Sequence, residues 1–336
     1  MEEELVGEEA LEERLSRPTA GAKSDLARTT GDLVVLGASG KMGPTLVRMA
    51  RRALPANRAV IAVARFTDPR SRASLEAAGA RTIACDLLER REVDLLPDAG
   101  GVIFMAGQKF GTSGAESSTW AANTVAPACA AERYRGVPAV VFSTGNLYPF
   151  TERGADESTP PAPTGEYAQS ALGRERVWEH FSRAHGTPVA IYRLNYAVEL
   201  RYGVLLEIAL AVRDGRPVDL RMGRVNVIWQ GDANAAALRC FGLAKSPPEI
   251  LNVTGPETLA VRDLASRFGE LLGRAPLFEG REEPRALLSN ASKMTSLFGP
   301  PEVSVDQVVA WVAAWVKKGG RTLGKPSHFE TRDGRF

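Results

Sequence analysis

Short apolar runs rich in Val, Ile, Leu and Ala recur at Leu33 to Leu36, Val60 to Ala64, Arg81 to Ala84, Val102 to Met105, Ala139 to Phe142 and Val189 to Arg193. Runs this short, with little polar alternation, are the pattern of strands covered on both faces. The stretches between them carry helical spacing, so the chain reads as α/β with a doubly wound parallel sheet. After Arg193 the alternation loosens: 201–214 reads as a helix, 225–229 as a strand, and Asp232 begins another helix. Leu251 to Val253 reads as one more strand, and Ala260 to Gly273 as an amphipathic helix ended by its glycine. Val305, Val308, Val312 and Val316, with Trp311 and Trp315, mark a last helix. Ahead of the first strand, Leu5, Leu11 and Leu15 at helical spacing predict a short docking helix, followed by a linker to about Thr30. Residues 319–336 are glycine-rich and charged, a composition that fits either a wrap around the body or a tail without fixed order.

Charge and composition narrow the function classes. The 336 residues hold 42 Lys and Arg against 40 Asp and Glu, a formal charge of +2, so no global field draws nucleic acid or an anionic membrane. Neither partner is expected. Cys85, Cys129 and Cys240 have no paired spacing, and His180, His185 and His328 no ligand spacing, so neither a disulfide framework nor a metal is expected. Glu2, Glu3 and Glu4 follow Met1 where a secretory signal would be basic, and no apolar run reaches membrane-spanning length; the expected location is cytoplasmic. The chain shows neither a glycosidase carboxylate pair nor a nucleophile elbow.

The most informative segment is Gly37-Ala38-Ser39-Gly40-Lys41-Met42-Gly43. It lies directly after an apolar strand and before an amphipathic stretch, the context a dinucleotide-binding turn requires. The first glycine permits a tight turn, the second lets backbone approach a diphosphate, and the third lets helix pack on strand. A helix N-terminus then faces the anion. Where an NAD-preferring fold places an acid at the end of its second strand, this chain has Arg65. Arg65 and Lys41 together could neutralise a 2′-phosphate, which favours NADP over NAD; the alternative is that both are solvated surface cations.

From here the sequence resembles an extended short-chain dehydrogenase/reductase of the NAD-dependent epimerase/dehydratase group, over about residues 31 to 299. Besides the glycine turn, the resemblance rests on Cys85-Asp86-Leu87, Ala106-Gly107-Gln108-Lys109, Ser143-Thr144-Gly145-Asn146-Leu147-Tyr148, Tyr167-Ala168-Gln169-Ser170, Gly231-Asp232-Ala233 and Leu251-Asn252-Val253, in that order. It implies a Rossmann domain over 31–194 and 225–254, and a smaller C-terminal substrate lobe over 195–224 and 255–318. It also implies Asp86 and Leu87 beside adenine, with Ala106, Gly107, Lys109 and Asn123 near the cofactor. Dimers are common in this family, so a homodimer is an expectation by association alone.

The resemblance further implies hydride transfer between a substrate carbinol carbon and the nicotinamide, with Tyr167 as general base. Thr144 holds the reacting hydroxyl, and Ser143 is the second choice. A tyrosine of ordinary pKa about 10 is only roughly one part in a thousand phenolate at pH 7, a handicap of about 4 kcal/mol. The family lowers it with a lysine four residues on; this chain has Ala171 there. Arg174, two helical turns from Tyr167 on the same face, is the candidate replacement; its alternative role is a solvated cation paired with Glu175 or Glu179. Dehydratases of the family carry an Asp-Glu pair where this chain has Gly145 and Asn146, which speaks against that route. Asn146, Asn195, Arg201 and Arg285 are candidate contacts to a small polar substrate. The functional expectation is an NAD(P)-dependent epimerase or dehydrogenase/reductase acting on a hydroxyl of a sugar, sugar acid or nucleotide sugar. Ala171 keeps open a second one, a catalytically weak NAD(P)-binding sensor or interaction protein.

Overall fold

The computed structural model describes residues 5, 7–109, 111 and 113–335, so the acidic Glu2 to Glu4 lie outside it. Two short helices come first, α1 (Gly7–Leu15) and α2 (Ala20–Ala27). The chain then alternates β1 (Leu33–Leu36), α3 (Gly43–Ala53), β2 (Val60–Ala64), α4 (Pro69–Ala77), β3 (Arg81–Ala84) and α5 (Arg90–Asp94). β4 (Gly101–Phe104), α6 (Glu116–Trp120), α7 (Ala126–Arg133), β5 (Ala139–Thr144), α8 (Gly165–His185) and β6 (Val189–Leu194) continue the pattern. Next come β7 (Ala197–Val198), α9 (Val204–Asp214), β8 (Pro217–Asp219), β9 (Arg224–Val225), β10 (Ile228–Trp229), α10 (Gln230–Arg239) and β11 (Glu249–Val253). β12 (Leu259–Ala260), α11 (Val261–Leu272), β13 (Leu277–Glu279), α12 (Ser292–Phe298) and α13 (Val305–Lys317) complete it.

Seven strands form one parallel sheet in the order β11-β6-β5-β4-β1-β2-β3. The chain winds outward from β1 through β2 to β3, then returns to β4 on the other side. That reversal leaves a crevice beyond the carboxyl ends of β1 and β4, where ligands of such sheets bind. β1, β2, β4 and β5 are buried at every position, which explains their apolar sequence. One sheet face packs on α2, α3 and α10 through Leu26, Leu46, Val47 and Leu238, and the other on α7 and α8 through Ala130 and Trp178. A separate core gathers α9, α11 and α13 around Leu205, Phe268, Trp311 and Val312.

Two segments differ from the sequence expectation, and a third, the tail, takes the first of the two courses its composition left open. The linker ahead of Thr30 contains α2, whose small residues leave no amphipathic stripe but whose start is capped by Thr19, accepting from the Ala22 amide at 3.0 Å. The single strand at 225–229 is two: β9 pairs antiparallel with β12, and β10 pairs parallel with β7. Asn226 sits between them, its amide binding Asn195 and the Ser289 carbonyl instead of a sheet ladder. The tail takes a fixed course over the body, through Leu323 on the Arg201 carbonyl and Ser327 on Glu207.

Candidate functional site

The glycine turn folds as its sequence requires. Gly37 has φ +89°, and a Cβ there would collide with the Ala106 backbone on β4's exit; a Cβ at Gly43 would collide with the Ala38 backbone. Gly40 differs: a Cβ would come no nearer than 3.4 Å to any atom, the Gly37 carbonyl oxygen. Packing does not demand that glycine, and its bare backbone faces the crevice with exposed Ser39 beside it. Met42 precedes α3 without a side-chain cap, and Pro44 opens the helix, so the helix N-terminus is left to a ligand. The turn therefore fits a dinucleotide diphosphate.

At the far end of the same edge, Arg65 and Asp86 line one cavity with Ile83, Cys85 and Glu92. Asp86 caps its own turn by accepting from the Leu88 amide at 3.0 Å, while Leu87 is buried beneath. Lys41 does not join Arg65. Its ammonium crosses the crevice toward the second lobe, donating to the Ala197 carbonyl at 3.0 Å and lying 3.6 Å from the Tyr202 ring centroid. The sequence argument that coupled these two cations at a 2′-phosphate thus loses one member.

Between the lobes runs a cleft of about 390 Å³, lined by Gly40, Lys41 and Met42, by Gly107 and Lys109, and by Thr144, Asn146 and Tyr167. Tyr196 and Tyr202 face them from the second lobe, with Lys325 and Ser327 from the tail. Thr144, last residue of β5, and Tyr167, in the first turn of α8, share a hydrogen bond between their hydroxyls. Thr144 Oγ1 also accepts from the Asn146 amide at 3.2 Å, which fixes its rotamer. Burial raises the Tyr167 hydroxyl above its ordinary value, while the Arg174 charge and the Thr144 hydrogen bond pull it down.

Ala171 is fully buried, and no cation replaces lysine at that position. The charge comes from one turn further along α8. Arg174 is 5% exposed; its guanidinium donates to the Phe142 carbonyl at 2.9 Å and to the Asn123 side chain, over the Phe104 ring. A Cβ on Gly107 would occupy the guanidinium's place, so that glycine makes room for the arginine. Arg174 pairs with neither Glu175 nor Glu179, correcting the surface-cation alternative. Asn123 is fully buried within a π-turn, 121–125, a helix irregularity that re-aims side chains. It accepts from the Gln108 backbone amide and donates to the Gln108 carbonyl and the Ser170 hydroxyl, so it braces the loop and Arg174 from behind the cleft.

Ser143, one residue before Thr144, also lines the cleft, but its hydroxyl is engaged elsewhere. Its hydroxyl donates to Glu175 at 2.5 Å, and Glu175 forms a bidentate pair with Arg193, both within 2% exposure. Arg193 also donates to the Tyr148 hydroxyl, which donates to Asn252. Sequence reasoning missed this buried network because its members are 18 to 104 residues apart.

The four substrate candidates part company. Asn146 and Asn195 line the cleft, although Asn195 already donates to Asn226 at 2.8 Å. Arg201 does not face it: the guanidinium is held by Glu199, Glu12 and Glu8, fastening α1 to the second lobe. Arg285 is exposed and outside the cleft, its carbonyl accepting from Arg332 of the tail. Lys325 and Ser327 line the cleft without having been singled out by sequence. Among the described residues, no group of three His, Cys, Asp or Glu is arranged to hold a metal, and no helix is long and apolar enough to cross a membrane.

Comparison with known proteins agrees with this architecture. The model of the NAD dependent epimerase/dehydratase family matches residues 33–198. No curated protein is a significant match to the sequence. Among solved structures, UDP-glucose 4-epimerase from Thermotoga maritima, with UDP-glucose, superposes at TM-score 0.72 with 16% identity, over 86% of this chain and 99% of that one. UDP-glucuronic acid 4-epimerase from Bacillus cereus, in complex with NAD, gives 0.72 and 16% over 85% and 99%. A double mutant of dTDP-glucose 4,6-dehydratase from Streptomyces venezuelae, with NAD bound, gives 0.72 and 19% over 85% and 97%. At such identities the likeness is one of fold.

Proposed function

We propose, from the match of residues 33–198 to the NAD dependent epimerase/dehydratase family, that this protein is an NAD(P)-dependent epimerase or dehydrogenase/reductase acting on a hydroxyl of a sugar, sugar acid or nucleotide sugar. The observation that carries the reading is the hydroxyl pair Thr144–Tyr167 on the cleft floor, with Arg174 behind it and the glycine turn alongside. A bound nicotinamide supplies the hydride acceptor and donor that no side chain can. The Gly37–Gly43 turn holds the diphosphate, and Asp86 and Arg65 flank the adenosine end. Arg65 alone now supports a preference for NADP over NAD.

Thr144 orients the substrate hydroxyl and Tyr167 takes its proton. Arg174 stabilises the resulting phenolate through space, and Gly107 and Asn123 hold the guanidinium where it can. Lys41, Lys109 and Lys325 line the cleft with no carboxylate among the residues facing it, which favours a substrate bearing a negative charge, hence a sugar acid or a nucleotide sugar over a neutral sugar. A homodimer stays part of this reading, with Trp120 and Val125 leaving apolar surface beside the π-turn.

Titration with NADPH and NADH, followed by nicotinamide fluorescence, tests the cofactor claim; a chain that binds neither overturns the reading. With a turned-over sugar acid in hand, Tyr167→Phe lowers kcat by about 10²- to 10⁴-fold while leaving cofactor affinity within a factor of a few. An unchanged rate removes Tyr167 as the base. Absorbance of reduced nicotinamide separates the two reactions, since a dehydrogenase changes it stoichiometrically and an epimerase shows no net change.

A further inference from the structure

The tail is built into the site. Ser327 donates from its amide at 2.6 Å and its hydroxyl at 2.9 Å to the Glu207 carboxylate on α9, and its carbonyl accepts from Lys109 of the first lobe at 3.2 Å. The segment thus touches both lobes across the cleft. On either side it has only a few further anchors. Leu323 donates to the Arg201 carbonyl, the Phe329 ring is buried in the second-lobe core, and Arg332 donates to the carbonyls of Arg221 and Arg285 over the Phe150 ring. Gly334 lies against Thr164 and Gly165, where α8 begins. Lys325 and Pro326, between the anchors, are exposed. A glycine-rich segment held at a few points on a folded body has the makings of a detachable strap.

Neighbouring tail residues line different spaces. Lys325 and Ser327 face the cleft that holds Thr144 and Tyr167. Pro326, Phe329 and Glu330 line a second cavity of about 510 Å³, whose other walls are Glu207, Ile208, Arg216, Asp219, Arg221 and Glu279. The strap is therefore a partition, with the reacting hydroxyls on one side and an empty extension of the second lobe on the other.

We propose that residues 325–330 set the length of the substrate: seated, they confine it to a compact polar molecule of monosaccharide size beside Thr144 and Tyr167, and displaced, they join the two cavities into a channel long enough for a nucleotide sugar. This rests on the functional reading above and names the substrate class within it. The cleft must take the nicotinamide end of the cofactor together with the substrate, and a nucleoside diphosphate attached to the sugar would have to pass through Ser327 and Phe329.

The test compares the full chain with a chain ending after Gly320, each saturated with the cofactor it binds and titrated with UDP-glucose by calorimetry. The full chain binds UDP-glucose at least tenfold more weakly than the shortened one. Phe329→Ala combined with Arg332→Ala, which frees the strap at full length, gives the same gain; it decides the matter if the shortened chain melts early. Equal affinity in the full and strap-released proteins, or tighter binding by the full chain, overturns the partition. Cofactor binding by the full chain, measured in the same titrations, separates the two ideas: its loss defeats the functional reading, whereas its presence with tail-independent UDP-glucose affinity defeats only the strap.

Discussion

Two buried arginines, Arg193 near the end of β6 and Arg174 on α8, show how the same side chain serves opposite purposes. Arg193 is locked in a bidentate pair with Glu175, its charge cancelled within 2.7 Å and its remaining donor spent on Tyr148. Arg174, the residue just before that glutamate, is bound only by neutral oxygens, those of Phe142 and Asn123, and its Nε has no partner. A cancelled charge exerts little field on its surroundings, while one solvated by dipoles keeps its field for whatever lies nearby. The charge near Arg174 that changes during a proton transfer belongs to Tyr167. The first arginine is thus architecture and the second is available for chemistry.

The largest effect that sharpens this contrast is on folding. Arg193→Met leaves Glu175 buried without its cation and costs about 3–5 kcal/mol in urea denaturation. Adding Glu175→Gln to the same chain recovers part of the loss, because the stranded charge is removed. Arg174→Met costs about 1–3 kcal/mol, because the Phe142 carbonyl loses a donor while the Asn123 oxygen keeps the Gln108 amide. Its signature is in the rate: the rising limb of kcat/KM against pH moves alkaline by about one to two units, a ~10- to 100-fold loss at pH 7. Equal damage to stability from both substitutions, with no movement of the pH profile for Arg174→Met, would break the comparison.

The smallest effect concerns two buried cations that line the cleft, Lys41 and Lys109. Burial lowers Lys41 to about 7 and Lys109 to about 8, with Glu199 and Glu207 pulling Lys41 back up and Lys109 and Arg201 pushing it further down. In the unfolded chain each holds its proton to about 10.5. Between these values the unfolded state binds more protons, so these lysines cost stability at neutral pH and that cost fades as pH rises toward 10.5. A bound anion favours the charged form and reverses the preference. Affinity for an anionic substrate is accordingly full below about pH 7 and weakens as pH passes through 7 to 8. Lys41→Met flattens that dependence and raises KM several-fold, read from initial rates across pH.

The sheet was legible because its central strands, β1, β2, β4 and β5, are buried on both faces and so spell continuous apolar runs. Tyr167 and Arg174 could be placed on one helix face by spacing alone, and the structure brings Arg174 close enough to act on the tyrosine. Its partner could not be read, since Asn123 approaches from a π-turn 51 residues earlier. Lys41 was misdirected for a related reason: sequence placed its Cα in the glycine turn but said nothing of a side chain reaching across to Tyr202. The tail was unreadable because glycines and charges carry no period, and its course is set by single anchors such as Ser327 and Phe329. Arg201 looked available because the carboxylates that claim it, Glu8 and Glu12, lie nearly two hundred positions away.

The tight turn at 199–202, closed by reciprocal backbone bonds between Glu199 and Tyr202, carries three attachments at once. The Arg201 side chain holds α1, its carbonyl takes the Leu323 amide of the strap, and the Tyr202 ring lies against Lys41. Arg321 adds a second tie from the strap to Glu8. The turn therefore works as a corner post: α1 and the tail are moored to the same few residues that form one wall of the cleft, and a pull on either mooring is felt at that wall.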